Sequence, residues 1–264
     1  MWIKLANRLQ RVLEDPGISG AVITHGTNTI EETGYFLDLV LTGSKPVVLV
    51  GPQRPASDPY SDGPLNLLQA VEVAVHADSR GKGCLVVMNG TINAARDVTK
   101  LHSNRVETFQ SLEFGPLGVV DRMGVKFYRV PLRRQTIPIK GVTSLPRVDI
   151  VASYAGADGE IVRSLITAGK AQGVVIAAFG AGTVTGSMFE VIKEARAKGV
   201  PVVITGAPTG RIIPASATPG SVIMTKGIGC VFADYLTPQK ARILLMLAIM
   251  RTREPAALQA YFDR

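Results

Sequence analysis

Apolar and polar positions change their period repeatedly along this chain. Residues 20–24, Gly-Ala-Val-Ile-Thr, form a short apolar run bounded by a glycine and predict a buried strand. From Thr29 the spacing turns helical, with Ile30, Phe36, Leu37, Leu39 and Val40 apolar and Glu31, Glu32 and Asp38 polar. Thr29 followed three places later by Glu32 predicts a capping box at that helix start. His25-Gly26-Thr27-Asn28 belongs to neither pattern. It lies at the carboxyl end of a strand, where α/β folds present ligand-binding groups.

The same reading extends along the chain. An amphipathic helix opens it, with Trp2, Leu5, Leu9 and Leu13 on one face. Strands are predicted at 46–50 and 84–88, and short strands within 109–130 around the turn 121–124. A helix is predicted at 65–77, after a loop rich in Pro, Ser and Asp at 51–64. Residues 89–100 show no period and predict a loop on the active-site side. The proline-rich, aperiodic stretch 131–146 predicts a linker. Beyond it the alternation restarts, with strands at 148–153, 173–178, 201–205 and 229–232. Helices are expected at 160–168, 187–198, 238–250 and 255–262. The expectation is two α/β domains, 1–130 and 147–264, joined by 131–146, the first alternating as a parallel sheet flanked by helices does.

Composition narrows the classes. With 264 residues, 46% hydrophobic and 19% charged, the chain is globular rather than disordered. Its long apolar runs, such as 243–250, fall far short of the roughly 20 residues that span a bilayer. The opening helix lacks the apolar core and cleavage site of a signal peptide, so a cytoplasmic protein with no membrane partner is expected. The net charge of +8 is spread along the chain, Arg133-Arg134 being the one tight basic pair, and no nucleic-acid motif accompanies it. A solvated basic surface is expected, not a nucleic-acid partner. Cys84 and Cys230 lie in strand-like stretches and read as two buried free thiols, with spacing leaving a disulfide between them open. His25, His76 and His102 show no metal-ligand spacing with cysteines or carboxylates, so no metal is expected.

The stretch VITHGTNTIEET at 22–33 resembles the second signature of the bacterial-type L-asparaginase family, a His-Gly-Thr-Asp-Thr segment leading into a helix. Further stretches follow in the family's order: KPVVLVGPQRP with SDGPLNL, LVVMNGTINAARDVTK, FGPLG and TPQKARILL. They span both halves of the chain. The resemblance implies a larger N-terminal domain with a doubly wound, mostly parallel sheet and a smaller C-terminal α/β domain. It also implies an amidohydrolase that converts L-asparagine and water to L-aspartate and ammonia, with L-glutamine as a second substrate. No cofactor is implied. The partners implied are a small amino-acid amide and further copies of the chain, as a homotetramer built as a dimer of dimers.

In that family a threonine hydroxyl attacks the side-chain amide and water hydrolyses the acyl-enzyme. One catalytic cluster is a threonine, an aspartate and a lysine, which by motif match fall on Thr27, Asn28 and Lys100. Gly26, Thr27 and Asn28 are the implied substrate-binding residues, the backbone amides of Gly26 and Thr27 facing a developing oxyanion. A hydroxyl is a weak nucleophile until a neighbouring base takes its proton, and a lysine serves as that base only in its neutral form.

The other cluster begins in a Thr-Gly-Gly-Thr motif on the family's first strand, and no such motif occurs here. By resemblance, Met1-Trp2 begin at the helix that follows that segment, and the absent strand is expected to leave a neighbour's edge unpaired. Asn28 stands where the family has aspartate, which weakens the expected grip on a substrate ammonium and takes an anion away from Lys100. The family's Gly-Asn-Gly-Asn stretch corresponds to Gly180-Ala181-Gly182-Thr183. The stretch 210–227, where the family places an acid, holds no Asp or Glu and reads as a glycine and proline loop. These departures keep two alternatives beside the amidohydrolase. One is an inactive homologue acting as a binding or assembly partner. The other is an ammonia-supplying subunit of a tRNA-dependent amidotransferase.

Overall fold

Helix α1 (Trp2–Glu14) buries Ala6 and Leu9 and packs on α2 (Ile30–Val40), where the Trp2 and Phe36 rings stack with centroids 5.1 Å apart. The computed structural model describes residues 1–132 and 135–263, so the basic pair Arg133-Arg134 lies outside the described residues. Two compact units form, Met1–Val142 and Thr143–Arg264, and the division falls inside residues 131–146.

In the first unit β1 (Ala21–Thr24), β2 (Val47–Val50) and β3 (Cys84–Met88) run parallel, with Thr24 opposite Val50. That register sends the chain out of β1 and β2 at the same end, side by side. Helix α3 (Gly63–Val75) sets Ala70, Val73 and Ala74 against Val48, Val50, Leu85 and Val87. Helix α2 covers the other face, so the helices lie on both sides of the sheet. Its Phe36 and the strand residues Leu49 and Leu85 are fully buried, each such side chain stabilising the fold by about 1.5–3 kcal/mol. β1 is at the sheet edge, with β2 and then β3 beside it.

The parallel character holds over β1, β2 and β3. Beyond them β4 (Thr91–Ala94), β7 (Gly118–Asp121) and β8 (Gly124–Phe127) extend the sheet antiparallel. The aperiodic loop expected at 89–100 is therefore corrected. Asn89 and Gly90 have φ of 51° and 72°, the left-handed pair of a two-residue type I′ turn, and they fold β4 back onto β3. The same stretch also holds β5 (Thr99–Lys100), which pairs with β6 (Phe109–Gln110) as a separate hairpin.

Two further expectations change. Thr29 does occupy the N-cap of α2, but its ψ of 14° is not the extended cap geometry, and its side chain makes no cap hydrogen bond. Glu31 and Glu32 are still in the first turn, where the helix dipole favours acids. In the stretch 131–146, Ile137 and Ile139 are buried and the Ile137 amide donates to the Leu39 carbonyl at 2.6 Å. The alternating isoleucines dock this segment on the first unit.

The second unit carries a four-stranded parallel sheet, β12-β11-β10-β9, made of β9 (Val148–Ala152), β10 (Gly173–Ala177), β11 (Val202–Thr205) and β12 (Val231–Phe232). Helices α4 (Glu160–Thr167) and α5 (Gly186–Ala197) pack on each other, with α5 also against β11. A short helix α6 (Val222–Gly227) follows β11. Helix α7 (Pro238–Ala248) packs on β9, β10 and β11, and α8 (Pro255–Phe262) on β12 and α7. α6 corrects the plain loop expected over 210–227, since Ser221 accepts from the Met224 amide and starts a helix there. Among the described residues no helix is long and apolar enough to cross a membrane.

Both cysteines are free and buried. Burial pushes the Cys230 thiol up to about 12, because a thiolate there would be desolvated. Cys230 is therefore expected to resist iodoacetamide at about pH 8 in the native protein and to react once urea unfolds it. Rapid native labelling of Cys230, read by peptide mass spectrometry, would contradict that.

Candidate active site

The site is built where β1 and β2 end. The His25 amide donates to the Val50 carbonyl at 2.8 Å, continuing the ladder one residue past Thr24. Gly51 then passes so close that a Cβ there would stand 2.3 Å from the His25 carbonyl oxygen and 3.6 Å from Thr27 Cγ2. Only glycine allows that approach.

The His25 side chain fixes the start of the loop. A carbonyl can only accept, so Nδ1 donates to the Gly26 oxygen at 2.8 Å, while Nε2 meets the Thr33 hydroxyl at 2.9 Å. Thr33 Oγ1 in turn accepts from the Trp2 indole at 2.9 Å. The loop is thus tied to α1 and α2 before it presents Thr27. Gly26 is exposed, and a Cβ on it would meet nothing within 4 Å, so the loop offers an open face there.

Lys100 reaches this loop from β5, whose pairing with β6 sets it opposite Phe109. Its Nζ lies 2.9 Å from Thr27 Oγ1 and 3.2 Å from Asn28 Oδ1. The turn of that hairpin is itself clamped. The His102 amide donates to Thr108 Oγ1 at 2.7 Å, and the Asn104 and Arg105 amides donate to His102 Nδ1. Thr27, Asn28 and Lys100, 72 and 73 residues apart in sequence, are brought into one hydrogen-bonded group. In that group the Lys100 ammonium donates to both the Thr27 hydroxyl and the Asn28 side-chain oxygen.

Support for the group comes from residues that the sequence reading did not single out. Asp62 stands at the N-cap of α3, yet its carboxylate makes no cap bond. It turns instead to the loop after β2, accepting from the Gln53 amide at 3.0 and 3.1 Å and from the Arg54 amide at 2.9 Å. Asn66, one turn along α3 and 1% exposed, donates to Asp62 Oδ2 and to the Gly51 carbonyl and accepts from the Asn89 amide. One side-chain amide thereby joins the carboxyl ends of β2 and β3. The available signal was SDGPLNL itself, an acid before Gly-Pro and an asparagine inside an apolar helix.

In the second unit, Gly180-Ala181-Gly182-Thr183 forms a tight turn closed by the Phe179–Thr183 bridge, with φ of 40° at Gly180 and 104° at Gly182. The segment after β11 packs on it, the Ala207 amide donating to the Gly180 carbonyl and the Ile213 amide to that of Ala181. Arg211 pairs with Asp234 at 3.0 Å.

The Thr27 hydroxyl, just past the end of β1, thus meets the Lys100 amine of the β5–β6 hairpin in a unit built on parallel strands, and known proteins share this architecture. Residues 1–133 match the domain family described as asparaginase, N-terminal, and residues 147–262 match the glutaminase/asparaginase C-terminal domain. The probable periplasmic L-asparaginase of Haemophilus influenzae is 40% identical over 268 residues, covering 100% of this chain and 74% of that protein. L-asparaginase 2 of Escherichia coli is 38% identical over 269 residues, covering 100% and 75%. The solved structure of a probable cytoplasmic L-asparaginase from Campylobacter jejuni has a TM-score of 0.92 at 38% identity, covering 100% of this chain and 80% of that one. The chain belongs to the asparaginase family of amidohydrolases.

Proposed function

We propose that this chain hydrolyses the side-chain amide of L-asparagine, and of L-glutamine as a second substrate, with Thr27 as nucleophile and Lys100 as its base. The observation that carries the reading is the 2.9 Å contact between Lys100 Nζ and Thr27 Oγ1, in a member of the asparaginase family. In the neutral form, the Lys100 amine takes the Thr27 proton as Oγ1 attacks the amide carbon. The oxyanion of the tetrahedral intermediate is held by the backbone amides of Gly26 and Thr27. Lys100 then passes its proton to the departing nitrogen, the C–N bond breaks and ammonia leaves. Water, deprotonated by the same amine, cleaves the resulting ester and restores the hydroxyl. No metal or organic cofactor enters these steps. A cytoplasmic homotetramer, built as a dimer of dimers, completes the proposal.

The test is acid-quenched turnover of L-asparagine followed by peptide mass spectrometry. An aspartyl ester on the peptide that holds Thr27 is expected, and an ester on another residue would contradict the assignment.

Asn28 sets the charge of the pocket. Its Oδ1 accepts from Lys100 at 3.2 Å and keeps a second lone pair for a substrate ammonium. Asn28→Asp is expected to tighten L-asparagine by about tenfold, since a charge-assisted bond to an ammonium replaces a neutral one. Unchanged or weaker affinity by calorimetry would count against Asn28 as a substrate contact.

A further inference from the structure

Gln53 lies between the loop after β2 and the Lys100 hairpin. Its backbone amide is held by the Asp62 carboxylate, in the loop that begins at Gly51 against His25 and Thr27. Its side chain points the other way, Nε2 donating to the Ser103 carbonyl at 2.6 Å, across 50 residues of sequence. Ser103 lies in the turn of the hairpin whose β5 carries Lys100. One residue therefore joins the loop packed on Thr27 to the turn that carries its amine partner. Gln53 keeps this bond although its Oε1 is buried with no hydrogen-bond partner among the described residues. An unpaired buried acceptor is destabilising and calls for a reason, and tethering the Lys100 hairpin supplies one.

We propose that Gln53, anchored by Asp62, is a positioning residue that holds the Lys100 hairpin at hydrogen-bonding distance from Thr27. This rests on the reading of Thr27 and Lys100 as nucleophile and base. A donor–acceptor pair at 2.9 Å has little room to drift, because misplacement of a reacting group by about 1 Å costs on the order of a hundredfold in rate. Removing the tether lets the hairpin sample positions in which the amine no longer meets the hydroxyl. The effect belongs to kcat, because Gln53 acts through Lys100 and not on the bound substrate.

The test is Gln53→Met, which keeps the length and the backbone bond to Asp62 but removes the donor. Two readouts are taken, L-asparagine turnover and hydrogen exchange of the amides of residues 101–108. The expected result is a fall in kcat of about tenfold with KM within about twofold, and exchange of those amides faster by about tenfold. In a Lys100→Met background, Gln53→Met should cause no further loss, because the group it positions is gone. Unchanged kcat in Gln53→Met, or an equal further loss in the Lys100→Met background, would overturn the proposal. If the parent chain itself fails to turn over L-asparagine, the functional reading has failed and exchange alone decides. Faster exchange would then sustain the tether, and unchanged exchange would overturn it.

Discussion

Lys100→Met is expected to lower kcat for L-asparagine on the order of a thousandfold while leaving the fold intact. Methionine matches the length of the side chain, and Lys100 is half-buried, so little packing is lost. What disappears is the group that takes the proton from Thr27 and returns one to the leaving nitrogen. Thr27→Ala should produce a loss of the same order, because it removes the attacking oxygen. The double variant should be scarcely worse than either single one, since the two groups act as a unit. Losses that add in the double variant would mean that Thr27 and Lys100 serve separate steps.

The second large effect concerns the frame beneath those residues. Asn66→Ala is expected to destabilise the first unit by about 2–4 kcal/mol, with the Gly51 carbonyl and the Asn89 amide losing their partners. Few buried residues serve two strand ends and a loop at once, as Asn66 does through Gly51, Asn89 and Asp62. The single tryptophan, Trp2, lies in this unit and stacks on Phe36, so its fluorescence in a urea titration reports the unit's unfolding. A shift in midpoint corresponding to under about 0.5 kcal/mol would show that Asn66 is not a structural hub.

Much of this arrangement was legible in the sequence, and the reasons are physical. The buried parallel strands β2, β3, β10 and β11 announce themselves as short apolar runs, because both faces of each strand are covered. The run at 20–24 predicts a buried strand as well, but β1 is a sheet edge whose residues are half-buried and whose Thr24 is exposed, and β9, also an edge, buries only Val148 and Val151. Thr27 and Lys100 were named by motif, not by any periodicity. Their 2.9 Å contact spans 73 residues, a separation over which local patterning says nothing.

The misreadings have equally specific causes. The pattern at 89–100 predicts a loop because TINA shows no clean alternation, while the Asn89-Gly90 pair just before it is a strong hairpin signal by itself. The capping box at Thr29 and Glu32 matched in spacing, but the backbone enters α2 at a ψ that turns the hydroxyl away. Asp62 and Gln53 fall inside the stretches SDGPLNL and GPQRP, but those stretches assign them no role. Their importance lies in bonds that reach Arg54, Asn66 and Ser103, visible only once three loops are folded together.

The measurement that bears most directly on the central claim is ammonia release from L-asparagine by the purified 264-residue chain, beside Thr27→Ala and Lys100→Met. Turnover by the parent chain that either substitution abolishes is the predicted result. Turnover that survives both substitutions, or none from a folded parent chain, would contradict the assignment of nucleophile and base to Thr27 and Lys100.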